Sequence, residues 1–510
     1  MGALPASYIC NETMMGILTF LGCVLMLVGG YIVYGRLAER LYGCDPQLPM
    51  PSKTHADGVD YVQMPTWKVF LIQLLNIAGL GPVFGALAGC LFGPVALVWI
   101  VLGCILAGAM HDFLAAVMSA EHGGESLPDL IGRYLGRGAK HALRVLCVLL
   151  LLLVGVVFTK GPAGMLHAMV NSVPLTAWCL IILGYYLLAT VLPINVIIGK
   201  LYPIFGALFL FMAAGLALML PLSGAELLPD TDIFTNAHPK HLSVWPMIFV
   251  TIACGAISGF HATQSPMMVR CLGQARLMRP VFYGAMITEG LVALVWAVVG
   301  LSLREVATDY VLTNGAPVLA TSAEGARMSF MQLTLANPAM AVNQACTSLL
   351  GHVGAVLAVL GVVVLPITSG DTAMRSCRLI LAEATGLEQR SALRRLALAV
   401  PIFALVILIS QVDFSMLWRY FGWANQALAC FTLWSISVCM RRKGRWHWLA
   451  TIPALFMTCM CTTFLLYAPD CGIQLPQALS TGVGCGVALL CLALLLCRCK
   501  TAPTPLPPTR

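Results

Sequence analysis

Long apolar runs separated by short polar stretches repeat from near the start of the chain to residue 497. A membrane-spanning helix needs about 20 mostly apolar residues, and the pattern predicts thirteen. They lie at approximately 14–34, 69–91, 94–118, 143–159, 175–193, 200–220, 244–260, 281–301, 351–368, 396–411, 421–439, 447–467 and 478–497. The expected class is an all-α polytopic membrane protein. Between the eighth and ninth segments, Ser329 to Leu350 is polar and amphipathic. It predicts a helical cover over an external cavity, with an ordinary long loop as the alternative.

Two of the apolar runs contain glycines in their interior. Asn76-Ile77-Ala78-Gly79-Leu80-Gly81-Pro82 and Ala253-Cys254-Gly255-Ala256-Ile257-Ser258-Gly259-Phe260-His261 predict broken helices. An unwound stretch at membrane depth survives only where its freed backbone groups face protein, water or a ligand, so paired breaks point to a transport site. Gly79, Gly81 and Gly85 also suit close helix packing. Pro82 favours a true break, because proline removes a helix hydrogen bond and clashes with the preceding turn.

Counting from the second segment, five helices (about 69–220) precede five more (about 244–439), with one extra helix before and two after. Because five is odd, the second set runs in the opposite sense, as an inverted repeat requires. Each set opens with a broken helix.

Composition supports a membrane protein: 59% of residues are hydrophobic, 10% are charged and the mean hydropathy is +0.89. The first apolar run is expected to be a span and not a leader, since no Lys or Arg precedes it and no small-residue cleavage site follows. Basic residues collect on the cytoplasmic side of membrane proteins. With the N-terminus outside and the C-terminus cytoplasmic, 24 of the 29 fall in inner loops, leaving Lys160, Lys240, Arg304, Arg327 and Arg419 outside. The net charge of +8 is this bias. It does not indicate nucleic-acid binding, because no aromatic platform interleaves with the dispersed basic residues.

Most of the 20 cysteines sit inside spans, among them Cys23, Cys90, Cys104, Cys147, Cys179, Cys346, Cys430 and Cys491, without paired zinc spacing. They read as small core residues, with no metal expected. Cys10 and Cys471 share the expected outer side and are able to pair. One membrane domain is expected over 1–500, followed by a Pro-rich disordered cytoplasmic tail at 501–510. Nothing in the sequence sets an oligomeric state.

Four blocks carry a family resemblance: Ile77 to Pro82, Leu106 to Phe113, Phe249 to Thr263, and Phe421 to Gln426. Together with His55-Ala56-Asp57-Gly58-Val59-Asp60-Tyr61, they resemble the carbon starvation protein A family over about residues 30–430. The resemblance implies a bacterial inner-membrane uptake system for pyruvate or small peptides. It also implies kinship with the amino acid–polyamine–organocation superfamily and its five-plus-five inverted repeat. The chain departs from longer members in its length, in Gly85-Ala86 where they have Gly-Pro, and in Ile72 and Gln73 where some carry histidines.

The candidate substrate contacts are Gly79, Gly81, Pro82, Gly255, Ser258, Gly259, Asn425 and Gln426. Coupling or gating candidates are Asp112, His261, Glu289, Thr368, Ser369 and Asp371. His111 and Asp112 close their span at its cytoplasmic end, as a gate or a proton relay or as interfacial residues. Glu289 lies in mid-span without a basic neighbour and must pair, face water or carry a proton. His261 is expected to serve as a proton carrier, a role histidine side chains suit, or as a hydrogen-bonded cap. Thr368-Ser369-Gly370-Asp371-Thr372 ends the ninth span opposite the first break. Its hydroxyls and carboxylate suit a hard cation, which transporters of this architecture often hold there. Arg375 and Arg378 are the alternative partners of Asp371.

The expected function is a secondary active transporter, not an enzyme, with no cofactor beyond a coupling proton or sodium ion. Its partners are a small carboxylate or peptide and the lipid bilayer. A nutrient sensor binding the same ligand is the competing class. A haem oxidoreductase is disfavoured, because no span offers paired histidines for the iron.

Overall fold

The computed structural model describes residues 6–43, 45–170, 172–194, 198–223, 226–228, 235–313, 316–319, 326–469 and 471–498. The Cys10 side chain, and with it any bond to Cys471, and the tail at 501–510 lie outside the described residues.

A helix or a broken helix pair underlies each expected segment. Among the described residues nine helices are long and apolar enough to cross a membrane, ten if the bent pair Thr66–Ala78 and Gly81–Phe92 counts as one span. Leu175–Val191 is a shorter apolar helix. Burial sorts the helices by position. The most apolar stretch of Val95–Glu121 is 89% buried and that of Ala275–Ser302 is 83% buried, whereas Met14–Tyr42 is only 11% buried. The first two therefore form the centre, and the N-terminal helix offers side chains such as Leu25 and Met15 to lipid. Helix Pro338–Thr385 packs along Arg137–Met169 and Ile198–Leu222 as a scaffold beside the first broken helix.

Both breaks fall where the glycines predict. The first broken helix bends by 52°. Its hinge, Gly79, has φ +42°, a backbone region that a side chain disfavours. A Cβ there would also lie 2.7 Å from the Phe158 ring. The second broken helix consists of Val244–Thr251 and Gly259–Val269, with non-helical backbone between. It runs well past the expected end at 260, and residues 259–269 are all buried, so the polar run from His261 to Pro266 faces protein.

Three other sequence expectations need correction. The protein is not purely helical: β1 (Ala307–Thr313), β2 (Ala316–Leu319) and β3 (Arg327–Ser329) form an antiparallel sheet in the order β2-β1-β3. The stretch after it is helical as predicted, over Phe330–Ala336 and from Pro338 onward, with a kink at Gly351, φ +65°. The ninth helix does not end at Thr368 to Thr372 but continues to Thr385, so that cluster is interior. His111 and Asp112 likewise do not close their helix, which runs on to Glu121; both are fully buried.

Candidate functional site

At the first break, the helix hydrogen bond between the Gly79 N–H and the Leu75 carbonyl is replaced by a side chain. Ser369 Oγ accepts from Gly79 N at 3.1 Å and donates to Leu75 O at 3.1 Å. Thr368 Oγ1 lies 3.0 Å from the same carbonyl. Freed backbone groups at membrane depth must find such partners. Asp371, one turn on, is bonded by Tyr185 at 2.7 Å and by Tyr202 at 2.9 Å. Tyr202 Oη is also 3.2 Å from Asn76 Oδ1. Arg375 and Arg378 do not neutralise Asp371; they turn the other way, to Asp60.

The second break is held from helix Phe414–Arg442. Asn425 Oδ1 accepts from Phe260 N at 2.7 Å and from Ser258 Oγ at 3.0 Å, acting as a cap for the second half-helix. Gln426 Nε2 donates to the carbonyls of Ile257 at 3.1 Å and Phe249 at 3.3 Å. Trp99 Nε1 satisfies Ile252 O at 3.0 Å. Asn425 and Gln426 thus hold the backbone of the second break, Ser258 bonds the Asn425 side chain, and among the described residues Gln426 Oε1 has no partner.

The glycines bring the two breaks into contact. A Cβ on Gly81 would sit 2.1 Å from Cys254 Cβ, and one on Gly255 2.7 Å from Ala293 Cβ and 3.8 Å from Pro82 Cα. Gly259 faces helix Phe414–Arg442, where a Cβ would meet the Ala429 nitrogen at 2.4 Å. Gly81 and Pro82 therefore lie against the second break, whereas Gly259 is a packing contact. Phe158, which sequence reasoning missed, stands between the breaks with ring centroids 6.2 Å from Phe260 and 5.7 Å from Phe421.

Behind the second break lies a cluster of ionisable side chains drawn from three elements. Asp112 Oδ1 is 2.8 Å from His111 Nδ1, and Asp112 Oδ2 is 2.9 Å from His261 Nδ1. On its far side His261 Nε2 is 3.6 Å from Glu289 Oε2. All four side chains are fully buried. Among the described residues neither Glu289 oxygen has a hydrogen-bond partner. Close packing allows the approach: a Cβ on Gly108 would lie 2.1 Å from Ala256 O, so the Asp112 helix runs directly against the break.

A cavity of about 200 Å³ reaches Gly81 and Cys254, with Leu335 of the helix that follows the sheet in its wall. Leu335, Trp418, Phe421, Arg419 and His238 are among its walls. Burial, followed by Lys240 and His241, pushes the His238 imidazole down to about 4, which leaves it neutral at physiological pH. The cavity is mostly apolar and its polar groups are few, as small-molecule sites are.

Of the predicted residues, the structure joins Gly79, Thr368, Ser369 and Asp371 at the first break. It joins Asp112, His261 and Glu289 in the ionisable cluster, and Gly81, Pro82 and Gly255 where the breaks meet. It adds Asn76, Tyr185 and Tyr202; a tyrosine in mid-span was the signal available for Tyr185.

Two broken helices lean together inside a helical scaffold. Over 89% of this chain and 96% of the other, the fold superposes on Mhp1, a nucleobase-cation-symport-1 family transporter, in a closed conformation with bromovinylhydantoin bound, with a TM-score of 0.54 at 12% identity. A mutant of the manganese transporter of Eremococcus coleocola gives 0.51 at 13% identity over 86% of this chain and 97% of that one. The chain is a multi-pass membrane protein with the fold of these transporters. Its residues 15–174, 162–352 and 331–464 match the carbon starvation protein CstA family, and it belongs to that family.

Among its relatives is an uncharacterized membrane protein of Haemophilus influenzae, 42% identical over 56% of this chain and 91% of that one. The peptide transporter CstA of Escherichia coli K12 is 24% identical over 91% of this chain and 82% of its own length. The pyruvate/proton symporter BtsT of the same organism is 24% identical over 55% and 49%. The relatives with assigned roles are transporters, in keeping with the expectation that this chain is not an enzyme.

Proposed function

We propose that the chain is a proton-coupled secondary transporter of the bacterial inner membrane that imports pyruvate or a short peptide by alternating access. The carrying observation is the fully buried His261 held between Asp112 at 2.9 Å and Glu289 at 3.6 Å, next to the second break. An imidazole between two carboxylates passes a proton from one ring nitrogen to the other. A carboxylate without a hydrogen-bond partner is stable at that depth only if it carries a proton or gains a partner in another conformation. Movement of the second broken helix carries His261 relative to Glu289 and so ties protonation to conformation.

The substrate would enter from the sheet-bearing face and rest where the breaks meet. The start of the Gly81–Phe92 half presents the positive end of a helix to a carboxylate. In this reading thirteen helices cross the membrane as a five-plus-five inverted repeat, with the N-terminus outside. The broken helix opening each set, the 24 basic residues of one face and the transporter fold support it. Pyruvate and peptides are carried over from the names of the relatives.

A sodium-driven version has one observation in its favour. The Thr368 and Ser369 hydroxyls converge on the Leu75 carbonyl, a set of hard oxygen ligands. Uptake of labelled pyruvate and labelled dipeptides into proteoliposomes, with and without pH and sodium gradients, tests both versions. Accumulation that follows the pH gradient supports the proton; accumulation that follows sodium and ignores pH replaces it.

A further inference from the structure

The segment from Pro51 to Met64, which precedes the first broken helix, has no part in the transport cycle proposed above, although it carries the His55 to Tyr61 motif. It is held by specific bonds. Asp57 Oδ1 accepts from the backbone N–H groups of Val59 at 2.8 Å and of Asp60 and Tyr61 at 2.9 Å. That turn, with Gly58 at φ +73°, places Asp60 in the interior at 4% exposure. Its carboxylate receives Arg375 at 2.8 Å and Arg378 at 3.1 Å, both from helix Pro338–Thr385. Arg375 also reaches the carbonyls of Ala189 and Leu192, and Arg378 reaches Gln389.

The same strap is tied to the end of the second broken helix. Met64 N–H donates to Cys271 O at 3.0 Å, and Ser52 Oγ donates to Leu272 O at 2.7 Å. The Arg270 guanidinium lies 4.9 Å from the centre of the Tyr61 ring and bonds Gly124 O and Glu383, each at 2.9 Å. The strap therefore bridges the broken helices on one side and the scaffold on the other, on the Arg-rich face opposite the cavity. Alternating access requires those two groups to separate on this face. A loop bonded to both must release one of them.

Asp60 is the weak point of the bridge. One carboxylate neutralises two guanidiniums that are 1% and 0% exposed. Removing one partner of a buried ion pair leaves uncompensated charge that is stable only once water enters. Separation of Asp60 from its arginines and hydration of the seam are thus one event.

We propose that residues 51–64 form the gate on the Arg-rich face, with Asp60 as its latch on Arg375 and Arg378. The proposal rests on the alternating-access reading, but its test needs no substrate. Cys271 and Cys377 are both fully buried, one under the strap and the other beside Arg378. Cys430, buried against Thr458 elsewhere in the molecule, is the control.

The full chain in inside-out vesicles is treated with a membrane-impermeant maleimide, and labelling is read cysteine by cysteine by mass spectrometry. Asp60→Asn is expected to raise labelling of Cys271 and Cys377 about tenfold, in keeping with loss of a buried charge pair, without change at Cys430. Asp60→Glu should stay near wild type, and Arg378→Lys, which keeps charge but loses the fork, should fall between. Unchanged labelling of Cys271 in Asp60→Asn overturns the proposal. So does an equal rise at Cys430, because Asp60 would then only hold the fold together. If Asp60→Asn fails to reach the membrane, Arg378→Lys decides by the same criteria. Raised Cys271 labelling together with uptake indifferent to every ion gradient would keep the gate and reject the symport reading.

Discussion

Ser369 occupies the place of a backbone hydrogen bond: its hydroxyl takes the Gly79 N–H at 3.1 Å and returns a proton to Leu75 O at 3.1 Å. The scaffold helix thereby holds the first break open without leaving its backbone unsatisfied. Ser369→Ala strands a buried N–H, which costs about 1–3 kcal/mol. A lower melting temperature in detergent and much weaker uptake are expected. Thr368→Ala should be milder in melting, since Ser369 still serves Leu75 O. A Ser369→Ala protein that melts and transports like wild type would show that the hydroxyl does not hold the break.

The contact between Gly81 and Cys254 leaves no room for a side chain. A Cβ on Gly81 would fall 2.1 Å from Cys254 Cβ, and backbone must shift to admit it. Gly81→Leu and Gly259→Leu should each abolish uptake while the protein still reaches the membrane. Gly81→Ala should be impaired too, and partly rescued by Cys254→Gly, which removes the atoms in the way. Normal uptake by Gly81→Leu would mean that the breaks do not need to touch.

The breaks were legible because glycine and proline act through local backbone, and local backbone is what a sequence displays. Partners were not legible where they come from far along the chain. Arg375 follows Asp371 by one turn and suggests an ion pair, yet it bonds Asp60, 315 positions away, while Tyr185 and Tyr202 take Asp371. His111 and Asp112 looked like the end of a span because polarity within an apolar run marks a boundary unless something buried pairs with it. His261 is that partner. The strands Ala307–Thr313, Ala316–Leu319 and Arg327–Ser329 were not legible because they are too short to display a clear alternation.

Topology follows from the basic-residue bias. A reporter fused after Arg510 should be cytoplasmic, and one inserted near Asp230 should be external. The same side for both would remove the thirteen-crossing arrangement and, with it, the inward position assigned to the strap.

Asp60 should be indifferent to pH over the physiological range. Burial alone would push its carboxyl up, but Arg378, Arg375 and Arg270 outweigh burial and hold it down to about 2 from an ordinary 3.8. Because the folded value is the lower one, the stabilisation it gives is complete above the unfolded value and is lost only as pH falls through about 2. Tyr61 and Glu383, which also face the Arg270 guanidinium, complete its surroundings. The ratio of Cys271 labelling between Asp60→Asn and wild type should therefore stay level from about pH 5.5 to 8, a window far above that transition. A ratio that climbs steeply across that window would place a titrating group in the latch.

Coupling is tested by separating accumulation from exchange. Uptake against a gradient needs net proton movement, whereas exchange of internal for external substrate needs only the conformational cycle of the loaded carrier. If His261 passes protons between Asp112 and Glu289, then Glu289→Gln should lose accumulation driven by a pH gradient and keep exchange. His261→Gln should do the same, because an amide still fills the space between the carboxylates but carries no exchangeable charge. Asp112→Asn should lose more, since it removes the acceptor that orients both His111 at 2.8 Å and His261 at 2.9 Å. Its exchange rate is expected to fall as well. If sodium drives uptake, Thr368→Ala and Ser369→Ala should raise the sodium concentration needed for half-maximal rate, and Glu289→Gln should leave accumulation intact. Full pH-driven accumulation by Glu289→Gln would remove this carboxylate from the proton path and leave the oxygen set at Leu75 as the coupling site to pursue.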